Sequence, residues 1–334
     1  VTEEHCNVDD FLIITYTKAA AAELRSKIVG ELGRRLAQTP GDGHLRRQLL
    51  RVYQADIKTV DAFCTALLRE NTHLLAREED RWALTPDFRV LDESDAHLAR
   101  QRVLNQVLEG FYGQLDDGRA QLADTLGAGR DDSRLAELVL EVHEKLQSHA
   151  SPAAWLEENR RTWADLPGAF DDTPYARELL DMVRRKSGHW AAQLERGADQ
   201  TTGDPALEKG YGEKFRQAAA GLGILAQAGT WEEARSARRE VVFPRLATPR
   251  GRKDDVAGLK QLWDGCKAEV KKLEGLLDVS GEEAMEDLRA VAPAMLALLD
   301  LTADFGEAYR VEKLRLNAAD FSDQEHLALT LLVG

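Results

Sequence analysis

Phe11-Leu12-Ile13-Ile14 carries no charge on either face, a pattern that predicts a buried strand. It passes through Thr15-Tyr16-Thr17-Lys18 into an alanine-rich stretch, Ala19 to Lys27, whose composition predicts a helix. A loop with Pro and Gly turn signals follows at 38–44, then a helix from about Leu45 to Tyr53. A second short strand is expected over Ala55–Val60, leading into a helix with Phe63, Leu67 and Leu68 on one side. From about residue 76 to 316 the apolar spacing turns helical almost throughout. Leu135, Leu138, Val139, Val142 and Leu146 make one stripe; Leu259, Leu262, Trp263, Val270, Leu273 and Leu277 make another. A third helix is expected from about Pro293, a residue suited to a first helical turn, with Leu298, Leu299, Phe305 and Tyr309 facing inward. Residues 198–213 and 243–258 are the expected loops. Asp320–Val333 reads as an amphipathic tail helix opened by Phe321-Ser322-Asp323. No repeat with a period of about 20 to 50 residues is visible.

Composition narrows this picture. With 334 residues the chain can bury a sizeable core and is expected to hold more than one domain. It is 43% hydrophobic, 31% charged and only 6% aromatic, a profile that favours helices. It has no run of about 18 apolar residues, so no membrane span is expected. The acidic opening VTEEHCNVDD is no secretory signal, and its lack of a Met suggests a piece of something longer. Cys6, Cys64 and Cys266 are scattered and odd in number, which argues for a reducing cytoplasm and against a disulfide scaffold or a zinc site. The net charge of −14 does not favour nucleic acid as a partner, although a local basic stripe is enough to bind it.

The first strand-to-helix turn carries the most chemistry. Ligands of α/β sheets bind at the carboxyl ends of strands, where a following helix offers its amides. Thr15 and Thr17 can hydrogen-bond phosphate, Lys18 supplies a charge, and Tyr16 offers a face for a base. Thr59, at the end of the second strand, is a further phosphate donor, while Phe63 reads as core. Seven basic residues lie between Arg235 and Lys253: Arg235, Arg238, Arg239, Arg245, Arg250, Arg252 and Lys253. Glu240 is the one acid among them, and Pro244 and Pro249 make the segment a rigid extended loop, either a cation stripe for a nucleic-acid backbone or a solvated surface. Arg34, Arg35, Arg46, Arg47 and Arg51 form a weaker patch. His143 and His149 read as packing or surface residues rather than metal ligands. A nucleotide hydrolase needs a phosphate loop of the form GxxxxGK followed by Ser or Thr, and no segment fits. Arg89-Val90-Leu91-Asp92-Glu93 superficially resembles a magnesium-binding strand, but reads better as a connector before an acidic helix start at Ser94-Asp95.

These segments resemble a known family in order. Residues 11–26, FLIITYTKAAAAELRS, are similar to motif Ia (TFTNxAAxEM) of the UvrD/RecB-like superfamily-one DNA helicases. Residues 55–64 resemble the next element, close to ISTIHSFC, at fitting spacing. Asp61 departs from it, standing where the family has a His that can touch DNA; a carboxylate there repels phosphate. Thr85-Pro86-Asp87-Phe88-Arg89 to Glu93 looks like the DPxFRxxDExE stretch that enters the helical insertion of AddA-type nuclease-helicase proteins. Residues 133–139 and 148–156 are similar to that insertion's RLxELVL and SxPxPxxWL segments, and 320–326 to DFSDLEHxAL, which returns the chain to the motor. Their order and spacing across nearly the whole chain are specific.

The resemblance implies a mostly α fold: a helical insertion (1B) over 76–316, flanked by partial α/β pieces of a RecA-like P-loop motor domain at 1–75 and 317–334. It implies DNA contacts by Thr15, Tyr16, Thr17, Lys18 and Thr59; Arg245, Arg250, Arg252 and Lys253, read from the basic segment itself, are the second candidate set. The parent would be an ATP- and magnesium-dependent helicase/exonuclease of double-strand-break repair and recombination. It would act on single strands and duplex junctions beside an AddB-like nuclease partner. Its phosphate loop would precede residue 1 and its magnesium motif follow residue 334, so these residues would hold no cofactor and be inactive alone. The competing reading is a non-catalytic helical protein-interaction module, which the net acidity and the Ala/Leu-rich helices support.

Overall fold

The computed structural model describes residues 1, 6–75, 82–126 and 133–333. The expected insertion boundary at residue 76 and part of the acidic N-terminal segment fall outside them. The chain is mostly helical and forms two compact units, one of residues 1–159 with 297–334, the other of residues 160–296.

The first unit begins with β1 (Leu12–Thr15), α1 (Lys18–Gln38), α2 (Gly43–Arg51), β2 (Asp56–Thr59) and α3 (Val60–Leu75). β1 and β2 pair in parallel with Leu12 opposite Asp56 and Thr15 opposite Thr59, so α1 and α2 make the crossover between them. Ala21 and Leu32 of α1, Leu45 of α2, Val52, Ala55 and Ile57 enclose a small core, with Ile13 packed against it. Contrary to expectation, β1 is not buried on both faces. Phe11, Leu12 and Ile14 are 45, 48 and 42% exposed. Side chains alternate across a strand: Ile13 packs against the core while Leu12 and Ile14 face outward. Phe63 is only half-buried; on α3 the expected Leu68 is buried, together with Cys64.

The unit continues with β3 (Arg89–Val90), α4 (Glu93–Gly113), α5 (Asp117–Leu126), α6 (Ser133–Gln147) and α7 (Pro152–Ala164). The helix start after the connector belongs to Asp92, whose carboxylate accepts from the Asp95 amide at 2.9 Å, as an N-cap should. His143 sits inside the α6 stripe, buried edge-on against Phe305 at 4.9 Å between ring centres. His149 stacks on Trp155 at 5.1 Å. These are packing roles.

In the second unit, α8 (Pro174–Asp199) is followed by α9 (Pro205–Leu207), a π-helical segment Glu208–Gly212, α10 (Glu213–Leu225), α11 (Trp231–Arg238) and α12 (Ala257–Leu276). Its core gathers Leu194, Phe215, Leu222, Trp231, Trp263 and Val270, with Phe215 stacked on Trp263 at 5.1 Å. The loop expected at 198–213 proves mostly helical. Asp204 caps the Ala206 and Leu207 amides, and Pro205 fits the first turn. Gly210 and Gly212 serve close packing rather than turns: a Cβ at Gly210 would strike the Ala247 carbonyl, and one at Gly212 the Thr201 hydroxyl. The second expected loop does lack regular structure, from Val241 to Val256.

The last helices are α13 (Gly281–Arg315) and α14 (Phe321–Val333), separated by β4 (Ala318–Ala319), which pairs in parallel with β3. Pro293 lies inside α13 instead of starting it. Its ring removes one hydrogen bond, but it stands on the exposed side while Ala292, Ala294, Ala297 and Leu298 bury the other, and packing carries the helix through. Leu298, Leu299, Phe305 and Tyr309 are buried, as their spacing predicts.

Candidate nucleic-acid interface

Two parallel strands end side by side in threonine, and each runs into a helix. Thr15 closes β1 and lies in register with Thr59, which closes β2. The Thr15 hydroxyl donates to the Thr17 carbonyl at 3.0 Å, tightening the turn between β1 and α1. Thr17 is the N-cap of α1, its hydroxyl accepting from the Ala20 amide at 3.1 Å. Such a cap contributes about 1 kcal/mol and leaves other first-turn amides pointing outward. Tyr16, between the two threonines, is 94% exposed, and Thr17 and Lys18 are exposed beside it.

Thr59 repeats the arrangement at the second strand. Its hydroxyl accepts from the Ala62 amide at 3.2 Å, and the residue is 7% exposed. Lys58 is engaged with Asp56 at 2.6 Å. Asp61, in the first turn of α3, adds a carboxylate near the same strand end. Thr15, Tyr16, Thr17, Lys18 and Thr59 are thus brought together, Tyr16 as the most exposed and Thr59 as the most buried. Such a surface can hold an extended polyanion by hydrogen bonds and stack one planar base.

A family model described as the UvrD/REP helicase N-terminal domain matches residues 1–188, the stretch that contains this surface. The chain belongs to this family. Among its curated relatives, an ATP-dependent helicase/nuclease subunit from Desulforudis audaxviator (strain MP104C) is 36% identical over 98% of this chain and 27% of the relative. The protein of the same name from Pelotomaculum thermopropionicum is 32% identical over 98% of this chain and 26% of the relative. That from Syntrophomonas wolfei subsp. wolfei is 30% identical over 99% and 26%. The chain spans about a quarter of the length of these relatives.

The other basic residues sort by their partners. Arg252 pairs with Asp204 and, at 2.6 Å, with Asp255; the Arg252 guanidinium holds the Asp204 carboxyl below the usual range. Arg235 donates to the Leu277 carbonyl and to Glu232, and Arg238 to Asp278 at 2.9 Å. Arg245, Arg250 and Lys253 stand on the irregular segment. That segment is pinned along its length, by Lys214 donating to the Arg245 carbonyl at 2.6 Å and by Tyr211 and Thr248 sharing a 2.7 Å hydroxyl hydrogen bond. In the weaker patch, Arg34 and Arg35 clasp Glu31 and hold its carboxyl down at about 2, while Arg51 pairs with Asp9 at 3.2 Å.

One group is not visible in the sequence, a buried charge cluster around Lys313, Asp320 and Asp323. The paired acids stand in the 320–326 segment, but Lys313 is seven residues upstream on another helix, and only folding joins them. Among the described residues no group of three His, Cys, Asp or Glu side chains is arranged to hold a metal ion, and no helix is long and apolar enough to cross a membrane.

Proposed function

We propose that this chain supplies the single-strand-contacting surface and the helical insertion of an ATP-dependent DNA helicase/nuclease that works in double-strand-break repair and recombination in the cytoplasm. The observation carrying this reading is Tyr16, 94% exposed at the joined ends of two parallel strands. Tyr16 stacks on a base while Thr15, Thr17, Lys18 and Thr59 hold flanking phosphates. Arg245, Arg250 and Lys253 form a second backbone contact, with Arg252 fixing their loop through its acidic partners. The short β1–β2 and β3–β4 pairs belong to a RecA-like motor domain, and the helices of 76–316 form its 1B insertion. That insertion braces a duplex junction or meets an AddB-like nuclease partner. ATP and magnesium serve the parent enzyme through residues outside this sequence, because no GxxxxGK segment occurs within it.

A salt titration of oligothymidylate binding tests this. Affinity should fall steeply with salt and drop on Tyr16→Ala. Salt-independent binding, or none at millimolar DNA, would sink the reading and leave a helical protein-interaction module. The isolated chain should show no magnesium-dependent ATP turnover; measurable turnover would overturn the assignment of ATP chemistry to other residues.

A further inference from the structure

Lys313 lies in the last turn of α13, yet is 5% exposed. Its ammonium donates to Asp320 Oδ2 at 3.0 Å and to Asp323 Oδ1 at 2.6 Å, and sits 4.2 Å from the centre of the Tyr309 ring. The two acids cap each other across the start of α14: Asp323 N donates to Asp320 Oδ1 at 3.0 Å, and Asp320 N to Asp323 Oδ2 at 2.9 Å. Gln324, 1% exposed, donates from Nε2 to the Asp320 carbonyl at 3.3 Å, and its amide oxygen accepts from the Thr65 hydroxyl. That hydroxyl lies 2.8 Å from the Asp61 carbonyl oxygen. The single Thr65 hydroxyl proton is shared between the Gln324 amide oxygen and the Asp61 carbonyl oxygen, and through it a polar path runs from the last turn of α13, through the first turn of α14, to the first turn of α3.

Buried charges are a poor way to gain stability. Each ion loses several kcal/mol of hydration on burial, and apolar residues of similar volume often serve as well or better. Apolar cover is already present between these helices, in Leu68, Phe88, Leu327 and Ala319. What such packing lacks is direction: it tolerates sliding, whereas a chain of satisfied hydrogen bonds admits one geometry. The fixed end of the path is Asp61, two residues beyond Thr59 and in the turn whose Ala62 amide reaches the Thr59 hydroxyl.

We infer that the Lys313–Asp320–Asp323–Gln324–Thr65 network is a positioning device that fixes the first turn of α3, and with it the Thr59 end of β2 beside Thr15, for contact with a nucleic-acid phosphate. The inference rests on the strand-contact reading above. Its residues are positioning residues, since Thr65 and Gln324 act through the α3 turn.

The test uses the full chain with Thr65→Val, which removes the hydroxyl at constant shape, Gln324→Leu, and Thr65→Ser as the conservative control. Amide exchange at Ala62, Cys64 and Thr65 should quicken about tenfold in Thr65→Val and Gln324→Leu, the effect of one lost hydrogen bond, and not at Ala20 and Ala21 of α1. Oligothymidylate affinity should fall about fivefold in both, and Thr65→Ser should keep exchange and affinity near wild type. Combined with Thr59→Ala, Thr65→Val should weaken binding no further than Thr59→Ala alone. Unchanged exchange, or losses that add in full to that of Thr59→Ala, would overturn the positioning role while leaving the strand contact standing. A wild-type chain that fails to bind the oligonucleotide would sink the strand contact, and the phosphate role of the network with it.

Discussion

Tyr16 is the sharpest single-residue test because it touches so little. At 94% exposure it contributes almost nothing to packing, so Tyr16→Ala should leave stability within about 0.5 kcal/mol of wild type. Single-strand affinity should nevertheless fall by about 1–3 kcal/mol, the worth of one stacked base. Fluorescence titration beside a thermal melt separates the two, and a loss of stability equal to the loss of binding would contradict the assignment. His143 gives a pH signature instead. Burial, then the Lys313 charge, depresses its imidazole from 6.5 to about 4. Between those values the unfolded chain binds more protons than the folded one, so His143 costs stability as pH falls through that window. The upper bound is about 3 kcal/mol. Denaturant unfolding at pH 7 and about pH 4.5 should show a smaller loss for His143→Gln than for wild type; equal losses would mean that the imidazole takes up its proton in the fold as readily as in the unfolded chain.

Among the elements, α10 and the irregular segment after α11 make the clearest contrast. A Cβ on Gly221 would collide with the Glu240 carbonyl and lie 2.9 Å from Val241 Cα, whereas one on Gly223, two residues on, meets nothing within 4 Å. Gly221→Ala should therefore destabilise the chain by about 1–3 kcal/mol through overpacking against backbone. Gly223→Ala should stabilise it by about 0.5–1 kcal/mol through helix propensity. Calorimetry decides both, and the same sign for the two variants would refute the close approach. The sequence shows two glycines in one helix and nothing to tell them apart. The same blindness explains Pro293 and the glycines of 208–212: local signals indicated a helix start and a loop, and burial or close backbone approach prevailed.

On the scale of the whole molecule, the core of residues 160–296 is drawn entirely from within that segment, from Leu166 to Leu288. That stretch expressed alone should fold with helical circular dichroism and a cooperative melt; a non-cooperative one would show that it depends on the rest of the chain. The other unit needs both ends of the chain, because β3 at Arg89–Val90 pairs with β4 at Ala318–Ala319.

Much was legible beforehand, and for one reason: periodic apolar spacing and capping residues are local. The stripes of α6, α12 and α13, the β2 strand, the α14 start and the Thr15–Lys18 turn could all be read in order along the chain. The sequence by itself also determined the family, through short segments kept in order over nearly its whole length. What only the tertiary structure decided was pairing between distant residues. It set Thr59 beside Thr15, left Leu12 and Ile14 uncovered, joined Arg252 to Asp204, and buried Lys313 between two aspartates. Residue spacing fixes which way a side chain faces on its own helix or strand. It does not fix what the fold brings to meet it.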